Sequence, residues 1–252
     1  MEITAVGGLE SAFVSRRLIT DNIITVYECM HFMKQKRARD NRFCALKLDI
    51  RKAYDRVEWS YLKAIMLKLG FHRLWVDRIM RLVSTVSFSI LFNGDRQESF
   101  MPSRGIRQGD PISPYLFLLA AEGLSCLLNS KIQSSVLSGI KVASSAPVVS
   151  HLLFADDSLL FFKANRESAE AIKEALNNYC RASGQQVNMD KSSIHFAKGV
   201  GGSIREEIKV LLDVHTKALV KSISACQLML AHLRMEHSNI SKTGSGNGCK
   251  VG

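Results

Sequence analysis

Paired cysteines, long apolar runs and internal repeats are all missing from this chain. Its six cysteines, at 29, 44, 126, 180, 226 and 249, form no C-x-x-C pair. Neither a zinc ribbon nor a disulfide framework is suggested, and reduced intracellular thiols are expected. Cys226, His232, His237 and Cys249 follow a spacing that fits no common zinc finger. Met1–Gly8 lacks the charged start and apolar run of a secretory leader. The Asn239-Ile240-Ser241 sequon therefore carries no weight, and a nuclear or cytoplasmic protein is expected. The most apolar stretch, near Tyr115–Ala121, stops at Glu122, too short to span a bilayer, so no membrane partner is expected. Acids are the scarcer charge, 23 against 34 Lys plus Arg, which leaves a formal charge of +11. That excess favours a polyanionic partner, because each neutralised phosphate releases counterions; a merely basic surface gives the same count.

What is present reads as a globular α+β chain. Hydrophobic residues make up 46% of the 252, enough to bury a sizeable core. Asp21–Met33 has the pattern of a helix, with Ile24, Tyr27 and Met30 on one face. Phe43–Ile50 is apolar at most positions and reads as a buried strand ending in Asp49. Asp55 is placed to cap a helix through about Leu69, and a second helix covers about Arg73–Val83. Val86, Phe88, Ile90 and Phe92 alternate before Asn93-Gly94, a strong hairpin signal. Ser113-Pro114 opens a helix through about Leu128 that is apolar on most sides. Val148–Ala155 and Ser158–Phe162 are two apolar strands separated only by Asp156-Asp157. A helix from about Arg166 stops at Gly184, two short strands follow, and Ile204, Ile208, Leu211 and Leu212 mark one more helix. The expected architecture is an antiparallel sheet with helices packed on one face.

The chemistry gathers at carboxylates. Asp156 and Asp157 are adjacent at a hairpin tip between strands of Leu, Phe and Val. Like charges this close repel, more so in a low dielectric, and a divalent cation with oxygen ligands resolves the conflict. A solvated turn is the plain alternative, since Asp is common there. Asp49 ends a separate strand, where a sheet can present it beside the hairpin, and three converging carboxylates can hold two Mg²⁺. A strand-end cap is the alternative for Asp49.

Five segments, in order over roughly residues 10–220, then resemble one family. Phe154-Ala155-Asp156-Asp157 resembles the F/Y-x-D-D box of reverse transcriptases. Leu46-Lys47-Leu48-Asp49-Ile50 with Ala53-Tyr54-Asp55 resembles their first aspartate box. Arg104-Gly105-Ile106-Arg107-Gln108-Gly109-Asp110-Pro111-Ile112-Ser113-Pro114 resembles the R-G-x-R-Q-G-D-P-x-S-P loop. Ala12-Phe13-Val14, Arg17 and Asp21-Asn22 resemble the fingers box, and Gly184, Asn188 and Lys191 the G-x-x-x-N-x-x-K segment. The wording is that of non-LTR, plant LINE-type retrotransposons.

The resemblance implies a polymerase palm, with residues 1–42 as partial fingers, 43–221 as palm core and 222–252 as a divergent, largely disordered tail. It implies an RNA-directed DNA polymerase working by two-metal nucleotidyl transfer on an RNA template, a DNA primer and deoxynucleoside triphosphates. Asp49, Asp156 and Asp157 would hold two Mg²⁺, or Mn²⁺, with the Ile50 carbonyl a further ligand. Tyr54 would lie under the incoming sugar and exclude a 2′-hydroxyl; its alternative is a core aromatic. Gln108 and Gly109 would line the nucleotide and template pocket, their alternative a plain turn. Lys191 would protonate pyrophosphate, or is an exposed turn lysine. Arg17 and the basic stretch of Lys34, Lys36, Arg37, Arg39 and Arg42 would touch phosphates, or form a solvated face.

The chain also departs from that pattern. Eleven residues precede the Ala12 box, where the family carries more fingers sequence, and Arg16 stands where a Gly is usual. After Lys221 the family continues with a Y-L-G primer-grip box and a helical thumb; here Ser222-Ile223-Ser224-Ala225-Cys226 follows. No endonuclease or RNase H segment is read. The expectation is a truncated copy with its carboxylates in place and incomplete substrate grips, poor at synthesis alone. A catalytically inactive remnant that binds nucleic acid through its basic surface stays open as the second reading.

Overall fold

In a computed structural model of the chain, residues 19–35, 42–154 and 157–214 are described. The strand read from Phe43 is β1, Phe43–Asp49. It runs antiparallel to β5, Asp157–Lys163, on one side and to β6, Ser193–Phe196, on the other. β4, His151–Phe154, pairs with the outer edge of β5. The sheet order is therefore β4-β5-β1-β6, all antiparallel. The Phe154↔Asp157 register leaves only Ala155 and Asp156 between β4 and β5, and these two lie outside the described residues.

Alternation along the strands decides which face is dry. Leu46 and Leu48 on β1 and Leu160 on β5 are at most 1% exposed, and they share a face with His151 of β4. Helix α4, Ser113–Gln133, covers that face: its Ser125 hydroxyl hydrogen-bonds His151 Nε2 at 2.8 Å. Leu116 to Glu122 of α4 are all buried, which is why the segment is apolar nearly all round. α4 is long and apolar enough to cross a membrane, a property it shares with core helices, and 56% of its most apolar window is buried inside this fold. The uninterrupted apolar run stops at Glu122 as read, but that carboxylate is itself buried and the buried side of the helix runs on through Leu128.

Three helices pack with α4: α2, Trp59–Lys68; α3, Arg73–Ser84, through α2; and α5, Arg166–Ser183. α6, Gly202–Leu212, packs on α5. Val57, Leu62, Met66, Val76, Leu116 and Ala120 form the core between α2, α3 and α4. Full burial of one such side chain contributes about 1.5–3 kcal/mol. α5 begins at Asn165, whose side chain accepts from Ser168 N, and ends at Gly184 as read from the sequence.

Five local readings shift. Asp157, read as part of the turn, opens β5 in register with Phe154. α1, Ile19–Lys34, buries Ile23, Val26, Met30 and Met33, while Ile24 and Tyr27 are 53% and 58% exposed. Asp55 caps nothing: residues 51–56 form turns and α2 starts after Glu58. α4 takes Ile112 as its N-cap residue, so Ser113 lies inside the first turn. Of the two strands read after Gly184, the first is a single bridge, Ile50↔Val187. The Asn93-Gly94 hairpin forms as expected, as β2, Phe88–Phe92, and β3, Asp95–Phe100. It is a separate two-stranded sheet whose apolar residues Ile90, Leu91 and Phe92 stay exposed.

Candidate active site

Asp49 and Asp157 are register partners across β1 and β5. Directly opposed residues of an antiparallel pair project from the same face, so the two carboxylates stand side by side. Their face is opposite the one α4 covers. At its far end that face is closed, with Ala45 and Phe161 fully buried; at the Asp49 end it opens and both aspartates are half-buried. Asp49 is held by its backbone: its N–H donates to Ser192 Oγ at 3.3 Å, and its carbonyl accepts from Asn188 N at 2.8 Å. The Lys47 ammonium, two residues earlier on the same face, lies 3.1 Å from Asp157 Oδ2.

Next to the carboxylates is a cavity of about 600 Å³. Ile50, Tyr54, Gln108 and Gly109, four residues from two distant boxes of the sequence, line it together. Tyr54 is half-buried, its ring stacked on Phe117 with centroids 5.1 Å apart and planes 10° from parallel. Its carbonyl accepts from Ile106 N at 2.9 Å, and Val57 O accepts from Gly105 N at 2.8 Å. The two segments meet so closely that a Cβ at Gly105, where φ is +89°, would stand 2.8 Å from Asp55 O. On the other flank, a Cβ at Gly184 would stand 2.5 Å from Arg56 O. Glu58 N donates to Ser183 O at 2.9 Å, and Gln185 Nε2 donates to Ala53 O at 2.8 Å. The Tyr54 segment is thereby gripped on both sides.

A second cavity, about 680 Å³, shares Gln108 and Asp110 with the first and is lined by Phe88, Phe100, Arg104 and Arg107. Arg104 is paired to Glu58 at 3.3 Å. Lys191 is exposed in the turn that starts at Asn188, its N–H donating to Asn188 O at 3.2 Å. Lys34 ends α1 close enough to His195 of β6 to hold its pKa down, behind burial as the first cause. Arg42 is exposed just before β1. Asp156, Arg17, Lys36, Arg37 and Arg39 lie outside the described residues. Among the described residues no three His, Cys, Asp or Glu side chains cluster to hold a metal. Asp49 and Asp157 supply a pair of oxygen donors, the kind a hard divalent cation takes.

Sequence reasoning passed over Lys47, Lys52 and Asp110. Lys52 and Asp110 line the first cavity, and Lys52 takes a left-handed φ of 50°. Lys47 and Asp110 lie inside segments already singled out and Lys52 between the two halves of one, so their place in the chain was the available signal.

Residues 10–229 match the family described as reverse transcriptase (RNA-dependent DNA polymerase), which reaches past Lys221. An uncharacterized mitochondrial protein of Arabidopsis thaliana is 51% identical over 73 residues, 28% of this chain and 60% of that protein. A retrovirus-related Pol polyprotein from the type-2 retrotransposable element R2DM of Drosophila melanogaster is 29% identical over 164 residues, 65% of this chain and 14% of the polyprotein. The chain thus spans only part of each of these relatives. Apo telomerase from Candida tropicalis, truncated from its C-terminal domain, shares the fold with a TM-score of 0.53 at 12% identity, over 73% of this chain and 36% of that one.

Proposed function

The chain belongs to the reverse transcriptase family, with polyproteins of non-LTR retroelements among its relatives, and on that premise we propose that its palm makes DNA on an RNA template by nucleotidyl transfer. The observation that carries this reading is the Asp49–Asp157 register pair opening beside the cavity that Tyr54, Gln108 and Gly109 line. Asp49 and Asp157, with Asp156 next in the chain, would hold Mg²⁺ or Mn²⁺, with the Ile50 carbonyl a further ligand. Such ions, when bound, activate a primer 3′-hydroxyl and stabilise the leaving pyrophosphate.

The remaining residues bind and orient. Tyr54, fixed by its stack on Phe117, presents a ring where a ribose 2′-hydroxyl would have to fit. Gln108 and Gly109, which line the same cavity, would contact the nucleotide, and Lys52 would offer a charge to its phosphates. Lys191 is free to bring a proton to pyrophosphate from its exposed turn. Lys34, Arg42 and the basic residues around them would bind the template–primer duplex through phosphates, without regard to sequence and more weakly as salt rises. Work on nucleic acid fits a nuclear or cytoplasmic location.

Primer extension on an RNA template, with deoxynucleotides and with or without Mg²⁺, tests the reading. Extension that requires Mg²⁺ and disappears in Asp49→Asn supports it. Salt-dependent duplex binding with no extension under any metal, even after a family thumb segment replaces residues 222–252, would instead support the non-catalytic remnant.

A further inference from the structure

The chemistry above makes no use of the Lys47 ammonium. We propose that Lys47 is a built-in counter-ion that competes with the divalent cation for Asp157 and so sets the metal affinity of the site. The inference rests on the metal reading just given.

Geometry places the lysine for this task. Lys47 precedes Asp49 by two residues and therefore projects from the same face of β1. Its own register partners are Leu159 on one side and Ser193 on the other, neither of them charged. The diagonal neighbour Asp157 is within reach, and the ammonium settles there at 3.1 Å. Two carboxylates facing each other across one register position repel. The lysine offsets one of the charges while no ion is bound. An arriving cation needs the same carboxylate oxygens and has to displace the ammonium or share them.

The strength of the pair suits displacement. The two side chains are 27% and 45% exposed, so water screens the pair and its contribution to stability is small. Lysine offers a mobile, strongly hydrated point charge, which leaves a carboxylate more readily than the two-pronged guanidinium of arginine. Competition for one carboxylate is reciprocal: whatever the lysine subtracts from cation binding, the cation subtracts from the ion pair.

The test is Mn²⁺ binding to the full chain, followed by titration calorimetry and by the electron spin resonance of the free ion. Lys47→Met keeps the aliphatic stem and should bind Mn²⁺ about tenfold more tightly, in the ordinary range for coupling between two sites. Lys47→Arg should bind no more tightly than the unaltered chain. In an Asp157→Asn background Lys47→Met should change nothing, since the competed carboxylate is gone. Lys47→Gln provides the same reading if the methionine variant folds poorly. A merely structural ion pair would lower the melting temperature of the metal-free variant and leave Mn²⁺ affinity where it was; that result overturns the proposal. So does a tightening that persists with Asp157→Asn, which would mark a diffuse charge effect. If Asp49→Asn abolishes binding while Lys47→Met leaves it unchanged, the metal reading stands and only the role of Lys47 falls. If Asp49→Asn leaves Mn²⁺ binding intact, the metal reading fails and this inference with it.

Discussion

The two faces of the four-stranded sheet are made from alternate residues of the same strands, yet one excludes water and the other meets it at one end. On the first, Leu46, Leu48 and Leu160 lie under α4, and His151 is only 1% exposed. Both ring nitrogens of that histidine are spoken for, Nε2 by Ser125 and Nδ1 by Ser150 at 2.9 Å. On the second, Lys47, Asp49 and Asp157 stand where the face opens, two negative charges and one positive within a single register step. The difference teaches how tightly stability and chemistry are bound together here. A slip of one residue in the β1–β5 register would carry the aspartates into the core and the leucines into the cleft.

The comparison is broken most severely on the open face. Asp49→Asn should reduce primer extension by at least about a thousandfold, the several kcal/mol that metal-assisted transfer draws from its ligands. Its melting temperature should stay close to that of the unaltered chain. A variant that loses activity only because it unfolds would show that the two faces do not divide the work.

On the covered face the expected loss has the opposite character. Leu46→Ala should destabilise the fold by about 4 kcal/mol, the lost transfer energy plus the cavity left behind. Urea denaturation gives the value, and extension per folded molecule should be unchanged.

His151 sharpens the same contrast through pH. Burial pushes its pKa down from 6.5 to about 4. The neutral ring is the folded form, so the unfolded chain takes up the proton first as pH falls. The contribution is complete above pH 6.5 and is lost progressively between 6.5 and about 4, up to about 3 kcal/mol. The urea midpoint of the unaltered chain should therefore fall through that window more steeply than that of His151→Gln. Parallel curves would mean that the buried ring is not dehydrated as its place beneath α4 implies.

The smallest effect belongs to the cavity wall. Tyr54→Val should lower discrimination between deoxy- and ribonucleotides by about tenfold, read as the ratio of kcat/KM values, because a small hydroxyl is only weakly rejected by shape. Unchanged discrimination would assign Tyr54 to the core through its stack on Phe117 alone.

Much of this arrangement was legible in the sequence, and the rest failed for identifiable reasons. The hairpin at Asn93-Gly94, the stop at Gly184 and the strand ending in Asp49 each rest on local backbone chemistry, and each stands where it was read. The buried face of α1 did not, because Ile23, Ile24, Val26 and Tyr27 offer apolar stripes in two phases. Only the neighbours of the helix choose between them. The start of α2 was misread because Asp55 is held in a turn, its N–H bonded to Lys52 O at 3.0 Å, with Gly105 against its carbonyl. That contact spans fifty residues of chain, beyond what local sequence carries. The pairing of Lys47 with Asp157 depends on strand register and was invisible for the same reason.

The grip of Gly105 and Gly184 on the Tyr54 segment bears on inheritance. Bonds from residues 105–106 and 183–185 reach the backbone of 53–58 with no room for an added carbon. Three stretches far apart in the gene therefore share one set of contacts, and a change that shifts the backbone of one should be tolerated only against matching partners. Recombination between diverged copies that breaks the gene between codons 58 and 105 would join walls never fitted to each other. Hybrids that swap all three stretches together should be recovered more often than hybrids that swap one.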